Sequence, residues 1–269
     1  MLTKGKIQSL KSFADKKERN KKNIFLVEGE KSVAELLISD MTINELFITS
    51  EFSKKYADEL KECGKRHAAI EKWLKPQLVE AGEINKISTM ESLKSECTAV
   101  AIVNQLEKVE LTVEDIANLL QTEKVIILDD IRDPGNMGTI IRLADWYGIK
   151  TIIASVGTVD IYNPKTISAS MGSFSRVQVI YRDVNEILNI VHKNRIDVDI
   201  IASTLNGQNA NEFKWPKAGA LVIGNESNGI NEIALNKIET KITLPSLGKA
   251  ESLNAAIACG ILLDRWNHN

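Results

Sequence analysis

An α/β architecture with a parallel sheet is predicted for the C-terminal part of this 269-residue chain. Three features predict it. Short apolar runs such as Val125-Ile-Ile-Leu128 and Ala220-Leu-Val-Ile-Gly224 have the pattern of strands buried on both faces. Stretches of helical periodicity separate these runs, so that strand and helix alternate. Polar, turn-rich loops follow the strands, and in parallel sheets that edge is where ligands bind. A smaller α/β region is predicted ahead of this one.

From the N-terminus, residues 6–14 predict a basic helix and residues 15–23 a charged turn. Ile24-Phe-Leu-Val27 is a strand, and Glu28-Gly29-Glu30 turns into a helix over 32–38. A strand over 43–49 and a charged amphipathic helix over 53–65 follow. Residues 66–97, with Trp73, Pro76 and Gly82, settle on no single period. The β-branched run 98–103 closes this unit as a strand, so the first domain is set at 1–104. Residues 105–123 are polar and leucine-spaced, which predicts a helical linker.

The larger domain, 124–269, starts with the strand 125–128. Helices are expected over 137–147, 163–173 and 184–194, with strands over 151–154, 177–181 and 198–202 between and after them. The strand 220–224, a short helical run and a strand over 241–244 come next. Ser252 is placed at the start of the last helix, whose small residues Ala255, Ala256, Ala258 and Gly260 permit close packing.

Composition narrows the function. With 43% hydrophobic and 26% charged residues, the chain matches a soluble globular protein. No apolar run approaches the roughly 20 residues that span a bilayer, and no signal peptide is visible. Three dispersed cysteines without a Cys-x-x-Cys pair predict reduced intracellular thiols. Three isolated histidines make a metal site improbable. The net charge of −2 conceals a basic start: Lys4, Lys6, Lys11, Lys16, Lys17, Arg19, Lys21 and Lys22 face only Asp15 and Glu18. Such a run is either a solvated helix face or a set of RNA phosphate contacts.

Two loops concentrate the remaining chemistry. After Leu128 comes Asp129-Asp-Ile-Arg-Asp-Pro-Gly-Asn-Met-Gly138, in the place of a dinucleotide fingerprint but without G-x-G-x-x-G. Asn136 is either the N-cap of the next helix or a site residue. Arg142, six residues later, is expected within reach of the same strand-end crevice. After Gly224 comes Asn225-Glu-Ser-Asn-Gly229, too polar for core.

D-D-I-R-D-P-G-N-M-G-T-I-I-R-L-A-D-W-Y-G, V-I-G-N-E-S-N-G-I and L-P-S-L-G-K-A-E-S-L-N resemble the three ordered motifs of the SpoU branch of the SPOUT RNA methyltransferases. F-L-V-E-G-E-K-S-V-A-E, behind a basic helix, resembles the substrate-binding domain often fused ahead of them. The resemblance implies S-adenosylmethionine-dependent methylation of a ribose 2′-hydroxyl in rRNA or tRNA. It also implies a deep trefoil knot in the C-terminal domain, a homodimer formed through that domain, and a cytoplasmic location. By the same resemblance the backbone of Gly224, Leu244 and Leu253 holds the cofactor. Asn136 and Arg142 carry over as catalytic positions, supported by Glu226, Ser252 and Asn254. A guanidinium scarcely deprotonates, so Arg142 is expected to clamp RNA phosphate and stabilise the developing alkoxide. The alternative is a non-catalytic RNA-binding subunit of the same fold. Loss of Asn136, Arg142 or Asn254 would favour it, and all three are present.

Overall fold

The computed structural model describes residues 2–69, 75–89 and 97–268. The chain divides into two compact units, Met1–Glu107 with Asp160–Ser175, and Lys108–Val159 with Arg176–Asn269.

The first unit opens with α1 (Lys4–Ser12) and α2 (Lys16–Lys22), capped by the side chains of Thr3 and Asp15. The stretch expected as a charged turn is therefore helical, because Asp15 accepts the Lys17 amide and Asn23 ends the helix in the left-handed region. Next come β1 (Ile24–Glu28), α3 (Glu30–Leu37) and β2 (Ile43–Ile48). The helix expected over 53–65 is instead two, α4 (Ser50–Lys55) and α5 (Ala57–Ala69), separated at Tyr56. The described part of the unsettled stretch contains β3 (Gln77–Leu78) and α6 (Ala81–Ile87), and β4 (Ala99–Asn104) follows. Trp73 lies outside the described residues.

These strands form a sheet in the order β1-β4-β2-β3. The two-residue alternation sorts their side chains. Phe25 and Val27 enter one core with Val33, Leu36 and Phe52, while Leu26, Val100 and Ile102 enter another with Leu10, Ile84 and Ile87. Arg19 does not belong to the surface basic run. It is 1% exposed, donates to Asp160 at 2.6 Å, and also donates to the carbonyls of Phe13 and Ala14.

The second unit begins with α7 (Val113–Thr122), whose Ile116 and Leu120 are buried against Val125, Ile127 and Val222. The segment expected as a linker thus supplies a core helix. β5 (Lys124–Asp129), α8 (Pro134–Trp146) and β6 (Thr151–Ala154) follow. The chain then contributes α9 (Pro164–Ser170) to the first unit, where Ile167 and Phe174 join the core around Phe25. It returns as β7 (Gln178–Tyr181), α10 (Val184–Lys193), β8 (Ile200–Asn209), β9 (Gly219–Gly224), α11 (Glu232–Leu235), β10 (Thr240–Thr243) and α12 (Ala255–His268).

Six strands pair in the order β10-β8-β9-β5-β6-β7, all parallel. β5 and β9 are neighbours near the middle, with Leu128 opposite Ile223 and Asp129 opposite Gly224. Because the strands are parallel, the loops after β5, β9 and β10 leave from one edge. α12 packs on α8 closely enough that a Cβ at Gly260 would stand 3.3 Å from the Leu143 methyls. Its far end is fastened by Trp266 Nε1 donating to Pro216 O at 2.7 Å and by Lys124 Nζ donating to Trp266 O at 2.9 Å.

Candidate active site

The loop after β5 is shaped by Asp133 and Pro134. Asp133 caps α8 by accepting the Asn136 amide at 2.8 Å, and Pro134 occupies the first turn, where its missing N–H costs nothing. Asn136 is therefore not the cap. It stands in the first turn with its side chain free to leave the helix.

The loop after β9 folds back on itself. Asn225 N donates to Gly229 O at 3.0 Å and Gly229 N returns to Asn225 O at 2.9 Å. Within that turn Asn225 Oδ1 accepts the amides of Ser227 and Asn228. Gly224 has no room for a side chain, since a Cβ would lie 2.3 Å from the Gly229 carbonyl carbon and 2.4 Å from Ile230 N. The turn leaves Glu226 half-buried and aimed at α8.

Three of the residues singled out from the sequence meet here. Asn136 Nδ2 donates to Glu226 Oε1, and Asn136 Oδ1 accepts from Asn254 Nδ2 at 2.8 Å. Asn254 Oδ1 in turn accepts the amides of Ala256 and Ile257 at 3.0 and 3.2 Å, so Asn254 is the N-cap of α12. The helix begins at Ala255 rather than at Ser252, because Asn254 supplies the capping oxygen. One amide–carboxylate junction thus joins all three strand-end loops.

Ser252 is exposed and has no hydrogen bond among the described residues. Arg142 is not brought to the junction. Six residues past Asn136 at 100° per residue, it points about 120° away around the helix. It lies on an exposed stripe with Thr139 and Trp146, and it has no hydrogen-bond or ion-pair partner among the described residues.

Leu244 and Leu253 bracket an irregular segment. Among the described residues, no backbone group from Leu244 to Leu253 is hydrogen-bonded to another backbone group. Apart from the Gly248 carbonyl, which accepts from Ser246 Oγ at 3.4 Å, the segment's amides and carbonyls can meet a ligand, and Gly224 lies in a parallel strand whose end opens at the same edge. A cofactor read by backbone groups fits this donor set.

Residues beneath the loops were not singled out as site residues from the sequence. Asp129, buried at the end of β5, accepts the Asn231 amide at 2.7 Å. Burial raises its carboxyl above the ordinary value, with the charges of Asp130 and Asp183 adding to the rise. Asp130 has φ +58°, and its carbonyl accepts from Asn225 Nδ2 at 2.8 Å. The signal in the sequence is an acidic pair that closes an apolar strand and opens the first motif.

Polar side chains gathered at the carboxyl edge of a parallel sheet define an α/β enzyme with its ligand site at the strand ends. By comparison with known proteins, the chain belongs to the SpoU rRNA Methylase family, whose profile matches residues 123–264. Residues 4–92 match an MRM3-like substrate binding domain. The chain is 30% identical over 258 residues to the 23S rRNA (guanosine(2553)-2′-O)-methyltransferase RlmP of Bacillus subtilis, covering 96% of this chain and 94% of that protein. It superposes on a TrmH-family structure from Porphyromonas gingivalis with a TM-score of 0.79 at 29% identity, covering 99% and 98% of the two chains. An AdoMet-bound rRNA methyltransferase from Sinorhizobium meliloti shares the fold, with a TM-score of 0.77 at 24% identity over 99% of this chain and 95% of that one.

Proposed function

We propose that this protein methylates a ribose 2′-hydroxyl of ribosomal RNA, using S-adenosylmethionine, in the cytoplasm. The Glu226–Asn136–Asn254 junction beside the unpaired 244–253 backbone carries this reading. Membership of a methylase family and the likeness to a 23S rRNA enzyme support it. The cofactor supplies an electrophilic methyl group on a sulfonium. The backbone of Gly224, Leu244 and Leu253 would hold it at the sheet edge. Glu226, kept in place by Asn136, offers a carboxylate oxygen to orient the ribose hydroxyl, and Ser252 and Asn254 add polar contacts. Much of the rate gain in such a displacement comes from alignment, which rigid loops provide.

The segments of β9, β10 and α12 are those that would form the family's trefoil knot. The homodimer proposal draws on α8 and α12. Trp146 is 82% exposed and Ile257 56% exposed, each on one of these two packed helices, and a second copy would cover them. Arg142 shares the Trp146 face, so it would enter a site only across that interface. In the first domain (1–104), Lys4, Lys11, Lys16, Lys17, Lys21 and Lys22 are exposed on or beside α1 and α2 and would contact RNA phosphates. The boundary with the methylating domain would fall in 105–123.

Incubation with methyl-labelled S-adenosylmethionine and ribosomal RNA, followed by mapping of alkali-resistant linkages, tests the proposal. Label at a 2′-O position is expected. Cofactor and RNA binding without transfer would instead favour the non-catalytic RNA-binding subunit.

A further inference from the structure

Below the junction lies a second layer of contacts, made in part by motif residues to which the resemblance assigns no role. The loop after β9 is fastened at both ends to one dipeptide at the end of β5. At its start, Asn225 Nδ2 donates to Asp130 O at 2.8 Å; at its finish, Asn231 N donates to Asp129 Oδ2 at 2.7 Å. The dipeptide is itself anchored. Asp130 N donates to Ser155 Oγ at 2.8 Å, Ser155 Oγ also contacts Thr158 Oγ1, and Ile131 N donates to Thr158 Oγ1 at 3.3 Å. Asp130 takes a left-handed backbone conformation that directs its carbonyl at Asn225. Glu226 sits between the two fastened ends.

We propose that Asp129 is a positioning residue for methyl transfer: with the Asp130 carbonyl it clasps the 225–231 loop and so holds Glu226 against Asn136. The inference rests on the methyltransferase reading above. Asp129 is buried beneath the loop, and among the described residues its carboxylate is hydrogen-bonded to the loop at Asn231 and not to Asn136. The charges of Asp130 and Asp183 bear on it, Ser155 and the Asn231 amide hydrogen-bond to it, and among the described residues it has no ion-pair partner. A carboxylate kept in such surroundings without a counter-charge is costly unless its hydrogen bonds matter. Here the bond to Asn231 fixes one end of the loop that presents Glu226.

The test reads turnover at saturating RNA and S-adenosylmethionine, cofactor stoichiometry by calorimetry, and amide hydrogen exchange over residues 225–231. In Asp129→Ala we expect turnover to fall at least about tenfold, the scale of one lost hydrogen bond to a charged group, with one cofactor still bound per chain and faster loop exchange. Asp129→Asn, which keeps an acceptor oxygen, should recover most of that loss. The same bond can be removed from the other side. Asn231 has φ −50°, which proline adopts, so Asn231→Pro deletes the donor, and Asn231→Ala serves as its reference for the lost cap. Asn231→Pro should turn over at least about fivefold more slowly than Asn231→Ala. Equal turnover in the two Asn231 variants would overturn the inference, even if Asp129→Ala fails to fold. So would a loss in Asp129→Ala matched by loss of cofactor-binding chains. A wild-type protein that transfers no methyl group defeats the functional reading instead, and loop exchange in the variants then decides the clasp alone.

Discussion

The Asn136 side chain donates to the Glu226 carboxylate across 90 positions of sequence, joining the loop after β5 to the loop after β9. The bond is charge-assisted, and its donor is an amide whose oxygen is already used by Asn254. If either partner turns away, a charge-assisted bond between the two loops is lost.

Asn136→Asp tests that bond most sharply. It places a second carboxylate against Glu226 and removes the donor. Turnover should fall about 10- to 100-fold, the equivalent of the roughly 1.5–3 kcal/mol carried by a hydrogen bond to a charged group. The loss should shrink as pH falls, because two adjacent carboxylates share a proton more readily than either alone. The activity ratio of variant to wild type, followed from neutral to mildly acidic pH, is the check. A ratio that does not change with pH would show that charge at this junction is irrelevant.

Gly224→Ala should separate loop geometry from side-chain chemistry. The new Cβ would lie 2.3–2.5 Å from backbone atoms of Gly229 and Ile230, and backbone cannot give way as a flexible side chain does. The 225–229 turn must open. Stability is expected to fall by about 1–3 kcal/mol, as for other overpacked sites. Cofactor affinity should fall at least about tenfold with it, since the turn sits beside the proposed cofactor backbone. Urea titration and calorimetry measure the two quantities on the same preparation.

The alternating strands and helices of the second unit were legible because a buried parallel strand announces itself as an uninterrupted apolar run. Val125–Leu128 and Ala220–Gly224 are such runs, and they lie side by side. Asn136, Glu226 and Asn254 were legible through their motifs, and the structure brings them together. Other features left no such trace. Residues 15–23 read as a turn because an all-polar stretch shows no helical period, although Asp15 caps a helix there. Arg19 counted as surface charge until tertiary contacts buried it beside Asp160. The excursion of 160–175 into the first unit depends on packing of Ile167 and Phe174, which no local period encodes. Asp129 opens the first motif, but its bond to an amide 102 positions away is not encoded there.

Asp129 also predicts how stability varies with pH. Its folded carboxyl titrates above the ordinary value of 3.8 because burial disfavours the charge, so the folded state binds that proton more tightly than the unfolded chain. The resulting stabilisation is fully present below the unfolded value and is lost as pH rises through the folded one. Asp129→Asn abolishes this dependence. Subtracting its unfolding free energy from that of wild type should give a difference that grows less favourable to wild type as pH rises above the ordinary value of 3.8. Urea denaturation across that rise in pH measures it, and a flat difference would show that the carboxyl does not titrate abnormally.

Arg142 provides the last prediction. Its position on the exposed stripe of α8 with Trp146, about 120° around the helix from Asn136, leaves it outside the junction of its own chain. If a second copy covers that face, Arg142 enters the partner's site, where a planar guanidinium can span a phosphate and the reacting hydroxyl. Arg142→Ala should then abolish turnover even at saturating RNA, with cofactor affinity nearly unchanged, because other loops hold the cofactor. Full turnover at high RNA with only KM raised would mark it as a plain binding residue. Complementation locates its site. A dimer of one Arg142→Ala chain and one Asn136→Ala chain retains a single intact site if Asn136 and Arg142 come from different chains, and none if both come from the same chain. Co-expression of the two inactive variants should therefore restore about a quarter of wild-type activity: half the dimers are mixed, and each has one working site of two. Absence of any recovery, in a mixture shown to contain mixed dimers, would return Arg142 to the site of its own chain.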